Sequence, residues 1–150
     1  MSERPEERQR PDVERVYRGD GVEVTWEPAL CIHAAECLRG APGVFDARAR
    51  PWVRLAGADP GHVAEVVTRC PTGALHASRT DGAPQEHELV EGVEIRLEPD
   101  GPLIVHGNVT VLDVDGNLLR EDVRLALCRC GASRRKPFCD GRHRLTGFRG

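Results

Sequence analysis

The sequence predicts an α+β chain folded as two small units, and three observations lead there. Short runs of apolar residues alternate with polar ones, one stretch repeats at helical spacing, and a polar segment divides the six cysteines three and three. A chain of 150 residues suits one ordinary domain or two very small ones.

Residues 1–20 mix Arg, Glu and Pro without apolar periodicity and read as a solvated polar tail. Val22, Val24 and Trp26 then alternate as a half-buried strand. Asp59 and Pro60 read as the cap and first position of a helix, with Val63, Val66, Val67 and Cys70 following at i, i+3, i+4 and i+7. That spacing predicts Cys70 at the end of the helix, on its apolar face, before Pro71 stops it. Ala74, Leu75 and Ala77 form a strand expected to pair with the first. Residues 21–80 are thus a small α+β unit, and the polar residues 81–89 are a linker.

In residues 90–150, Val93, Ile95 and Leu97 alternate, and Pro99 to Pro102 form a turn. Leu103 to His106 and Val109 to Val114 are strand-like, Asp115-Gly116 marks a hairpin, and Leu125 and Leu127 lead into Cys128. This unit is mainly β, with its cysteines at the tip and a short helix predicted near Asp140.

Aromatics are only 4% of the chain, which carries 16 Gly and 11 Pro, so a small core gains from covalent or metal staples. No secretory leader pattern is visible, and no apolar run approaches the roughly 18 to 20 residues of a membrane span. The reading is a cytoplasmic protein whose clustered thiols stay reduced and hold metal. A net charge of −3 gives no footprint for nucleic acid.

Cys128 and Cys130 are one residue apart, and Cys139 and His143 are four apart. A helix starting near Asp140 would bring Cys139 and His143 over neighbouring turns, while an extended Cys-x-Cys presents two thiolates to a second metal nearby. Four donors in two pairs suit a diiron cluster held by three thiolates and one imidazole. Zinc is the rival occupant, but its structural sites use C-x2-4-C knuckles around one ion.

The same stretch resembles the CDGSH iron-sulfur domain. Cys128, Cys130, Ser133, Pro137, Cys139, Asp140, Gly141, His143, Gly147 and Phe148 all match its pattern, and Arg142 stands where a small residue is usual. The resemblance covers residues 90–150. It implies a [2Fe-2S] cluster with Cys128 and Cys130 on one iron and Cys139 and His143 on the other. Arg129, Arg134, Arg135, Lys136, Arg142, Arg144 and Arg149 surround the motif against Asp140, and are expected to favour the reduced cluster. Nucleic-acid binding is the rival reading of these cations, but no aromatic stacking series accompanies them. The imidazole is expected to couple electron and proton uptake, because one ring nitrogen binds iron and the other titrates.

In the first unit, Cys31-Ile32-His33-Ala34-Ala35-Glu36-Cys37 keeps the outer two cysteines of a C-x2-C-x2-C loop, and Cys70-Pro71 supplies the distant one. With Pro42, Val44, Phe45 and Asp46, this resembles divergent single-cluster ferredoxins. The resemblance implies a ferredoxin-like unit binding a [3Fe-4S] or [4Fe-4S] cluster through Cys31, Cys37 and Cys70. His33 is the candidate fourth ligand, with a solvated loop histidine as its alternative. His62, His76, His87 and His106 have no cysteine within motif distance and read as surface or strand residues.

No catalytic dyad, nucleotide loop or substrate motif accompanies these ligands. The reading is an electron carrier rather than an enzyme, passing single electrons to redox partner proteins. A cluster donor or a redox or pH sensor is the alternative, and a zinc-stapled interaction module the third reading.

Overall fold

The computed structural model of the chain describes residues 14–150; the start of the predicted tail, residues 1–13, lies outside the described residues. Two three-stranded antiparallel sheets make the framework. In the first, β1 (Arg15–Arg18) pairs with β2 (Val22–Trp26), and β2 pairs on its other edge with β3 (Leu75–Arg79). The β2–β3 pairing is the one the alternation predicts, with Trp26 opposite Leu75 and Val24 opposite Ala77. The polar-tail reading misses β1, an edge strand whose residues are mostly exposed and carry no apolar alternation to betray them.

Between β2 and β3 lie α1 (Glu36–Gly40) and α2 (Pro60–Val67). Asp59 caps α2 by accepting from the Gly61 N–H, and Pro60 occupies its first turn. Val63, Val66 and Val67 are fully buried against Val22, Val24, Phe45 and Leu75. Each such side chain contributes about 1.5–3 kcal/mol when buried. The helix ends at Val67, so Cys70 sits beyond it, in the turn its N–H closes by donating to the Val67 carbonyl.

The second sheet is β4 (Val93–Leu97), β5 (Leu103–Leu112) and β6 (Leu118–Leu127). The two predicted strand runs after Leu103 join into β5, whose register with β6 shifts between His106 and Val109. At the hairpin tip Asp113 accepts from the Asp115 and Asn117 N–H groups. All five residues of β4 are exposed, so its alternation does not mark a buried face. The buried apolar set of this half is small and includes Cys139.

Charged side chains of β6 join the halves. Arg120, Asp122 and Arg124 lie two apart on one strand, and so face the same way. Arg120 pairs with Glu27 at 2.8 Å, and Asp122 accepts from His76 at 3.0 Å. Arg124, 3% exposed, pairs with Glu86 at 2.6 Å and donates to the Cys70 and Leu75 carbonyls. His76 is therefore part of a partly buried hydrogen-bonded network as well as a strand residue. Glu86 belongs to α3 (Glu86–Leu89), a capped turn inside the predicted linker. Gly73, with φ +74°, presses against β6 so closely that a Cβ there would meet the Asp122 carboxylate at 2.7 Å.

Candidate metal centres

The C-terminal site grows out of the end of β6. The Cys139 N–H donates to the Ala126 carbonyl and the Cys128 N–H to the Pro137 carbonyl, which lays the 137–139 segment beside the strand end. Ser133 fixes the intervening loop by donating its hydroxyl to the Phe138 carbonyl at 2.6 Å and accepting from the Arg135 N–H. Asp140 accepts from the Arg134 and Arg142 N–H groups, closing the loop from the other side. The predicted helix begins later than the spacing implies. It is α4 (His143–Thr146), so Cys139 sits before it in a turn rather than on it.

The four candidate ligands line one small cavity. They lie in two pairs, with the Cys128 and Cys130 sulfurs 3.9 Å apart and the Cys139 sulfur 3.5 Å from His143 Nδ1. Backbone N–H groups of Ala132 and Gly141 point at the Cys130 and Cys139 sulfurs. Burial pushes the Cys139 thiol up, reinforced by Asp140 and the two neighbouring cysteines. At Cys128 burial works the same way, but the Ser133 and Gly131 N–H groups overcome it and hold that thiol below its ordinary range. Burial, aided by Arg144, holds the His143 ring below its usual pKa and so neutral, the form that binds metal.

The ring of cations is less open than the sequence implies. Arg129 donates to the Gly101 and Glu98 carbonyls and stacks on Phe148, Arg149 pairs with Asp100, and Arg142 lies 3.7 Å from Asp140. Arg134, Arg135 and Lys136 are exposed.

In the N-terminal site, Cys31 follows a 3-10 turn (Pro28–Leu30), Cys37 lies in α1 and Cys70 follows α2. The three line a second cavity with Trp26, Trp52 and Thr72. Burial pushes the Cys31 and Cys37 thiols up, and the nearby Cys70 adds to both shifts. His33 is exposed at φ +58°, its Nδ1 3.9 Å from the Cys31 sulfur. Trp26 faces Cys31, yet the indole N–H groups of Trp26 and Trp52 are buried without a hydrogen-bond partner. An orphaned buried donor is costly, and a sulfur-rich cluster in this cavity would satisfy both. Motif reading missed the two tryptophans, whose signal is that they are the only ones in an aromatic-poor chain.

All six cysteines are free thiols. Among the described residues, no three His, Cys, Asp or Glu side chains converge on a point that one ion would fill. No helix among the described residues is long and apolar enough to cross a membrane.

Two family models match the chain. Residues 17–80 match the family described as divergent 4Fe-4S mono-cluster, and residues 100–144 match the iron-binding zinc finger of CDGSH type. The chain is similar to the uncharacterized protein YjdI of Escherichia coli, from strain K12 and from O157:H7. Identity is 34% over 61 residues in each case, covering 41% of this chain and 80% of the relative. Through its first unit the chain belongs to the divergent 4Fe-4S mono-cluster family, joined here to a CDGSH-type iron-binding domain, and it is an iron-sulfur protein.

Proposed function

We propose that the chain is a single-electron carrier with two different clusters. Cys128 and Cys130 would hold one iron of a [2Fe-2S] cluster, and Cys139 with His143 Nδ1 the other. Cys31, Cys37 and Cys70 would hold a [3Fe-4S] or [4Fe-4S] cluster, with His33 the nearest candidate for a fourth ligand. The observation that carries this reading is the arrangement of the four C-terminal donors as two pairs in one cavity. When bound, such clusters accept and return one electron at a time.

The chain's own residues supply the rest. N–H groups of Ala132 and Gly141 donate to the cysteine sulfurs, which favours added negative charge there. The two indole N–H groups, buried without a partner, would do the same toward a cluster held in the N-terminal cavity. The His143 ring, bound through Nδ1, keeps Nε2 available to hold or release a proton. On this reading Cys139 and His143, like Cys31 beside His33, are committed to cluster ligation, and the protein works as a carrier with redox partners in the cytoplasm. The half-buried Cys128 and Cys130 favour, as a second reading, a cluster donor or redox sensor.

Anaerobic purification with iron and acid-labile sulfide counts, followed by EPR of oxidised and reduced protein, tests this. About five or six irons with two distinct signals are expected. A colourless zinc protein overturns the reading. Transfer of iron and sulfide to apo-acceptors, in place of reversible electron exchange, selects the donor role.

A further inference from the structure

The two cysteine groups, distant in sequence, share a wall. Ile32, the residue after Cys31, is 7% exposed and packs in one buried cluster with Ile104, Ala126 and Cys139. Its side chain lies over the turn that follows Cys139, since a Cβ on Gly141 would stand 3.7 Å from Ile32 Cβ. Beside this contact runs a polar one. Arg144, next to His143, donates from Nη1 to the Ile32 carbonyl. Its guanidinium is near enough to influence both the Cys31 thiol and the His143 ring.

Ile32 is bonded to Cys31, Gly141 lies two residues after Cys139, and Arg144 is bonded to His143, so both contacts run from one candidate site to the other. A few covalent bonds and one hydrogen bond or van der Waals contact thus connect the two sets of candidate ligands. Ile32 and Cys139, on the two sides of this wall, are both buried. Tunnelling through packed and hydrogen-bonded atoms decays more slowly than through a solvent gap of the same width.

We propose that Ile32 and Arg144 form an electron bridge between the two metal centres, making the chain an internal two-site relay rather than two independent carriers. The inference rests on the two-cluster reading above. The step is simple in balance. An external one-electron reductant reduces one centre, and that electron then leaves it and reduces the other. No bond is made or broken, and the Arg144 proton stays on its nitrogen. The cationic guanidinium also lowers the cost of negative charge on either side of the wall.

The test uses the full-length protein holding both clusters, reduced stepwise with dithionite under anaerobic conditions. The EPR signal of each centre is expected to broaden and relax faster once the other is paramagnetic. After mixing with less than one equivalent of dithionite, electrons are expected to redistribute at a rate independent of protein concentration. Arg144→Gln and Ile32→Ala should each slow that redistribution severalfold, with Arg144→Lys closer to the native rate. The wild-type measurements decide the relay even if a variant folds poorly. Two occupied centres with independent signals, or redistribution that scales with protein concentration, would overturn the relay and leave the two-cluster reading standing. An iron count near two would overturn both.

Discussion

Arg124, on the sheet of the second unit, donates to the carbonyl of Cys70, a candidate ligand of the first, at 2.7 Å. The same guanidinium satisfies the Leu75 carbonyl and the Glu86 carboxylate. A buried ion pair adds little net stability over an apolar substitute, but removing one partner strands the other. Arg124→Met, which keeps the bulk of the stem, is therefore expected to cost about 3 kcal/mol. Urea unfolding would show it as a lower midpoint, and adding Glu86→Gln should recover part of the loss. A neutral Arg124→Met would mean the network carries no structural weight.

Cys128 and Cys139 should differ in reactivity once metal is removed. Loop N–H groups hold the Cys128 thiol below its ordinary range, while burial pushes Cys139, Cys31 and Cys37 up. Thiolate forms as pH rises, so Cys128 reaches its reactive form first. Timed alkylation of the metal-free protein, read by mass spectrometry, should label Cys128 at a lower pH than the other three. Equal labelling across the pH range would contradict the loop geometry.

The two orphaned indoles give a redox prediction. Trp26→Phe and Trp52→Phe keep a ring in the cluster formed by Trp26, Trp52 and Phe45 and delete only an N–H. If each N–H donates to sulfur in the reduced state, losing one hydrogen bond of ~1 kcal/mol should lower the midpoint potential of the N-terminal centre by about 40 mV. An EPR-monitored titration would detect it. The C-terminal potential should not move in either variant.

His143→Cys should remove the pH dependence of the C-terminal potential. In the native protein reduction adds negative charge and raises the proton affinity of Nε2, so the potential falls as pH rises over the range in which that proton is lost. A thiolate ligand has no second nitrogen to titrate. Voltammetry across pH should therefore give a sloping line for the native chain and a flat one for the variant.

Local chemistry made much of this readable in the sequence. Asp59-Pro60 announces α2 because a cap and a fixed φ act within one turn, and the Cys-x-Cys and Cys-x3-His spacings are visible in a few residues. What escaped depends on distant partners. Arg124 meets Glu86 across 38 positions, and Arg144 meets Ile32 across 112. Nothing in either neighbourhood marks those pairings. β1 escaped because an exposed edge strand needs no apolar face, and β4 carried a regular alternation that buries neither face.

The buried cluster shared by Ile32 and Cys139 also gives the two halves a common fate under oxidative stress. Both side chains belong to one small buried cluster, so lifting the Cys31 to Cys37 loop opens that cluster, Cys139 included, to dioxygen and peroxide. A thiolate exposed that way climbs through sulfenic to irreversible oxidised states. Damage that begins at either loop thus spreads to its neighbour, and the protein survives or is lost as one piece.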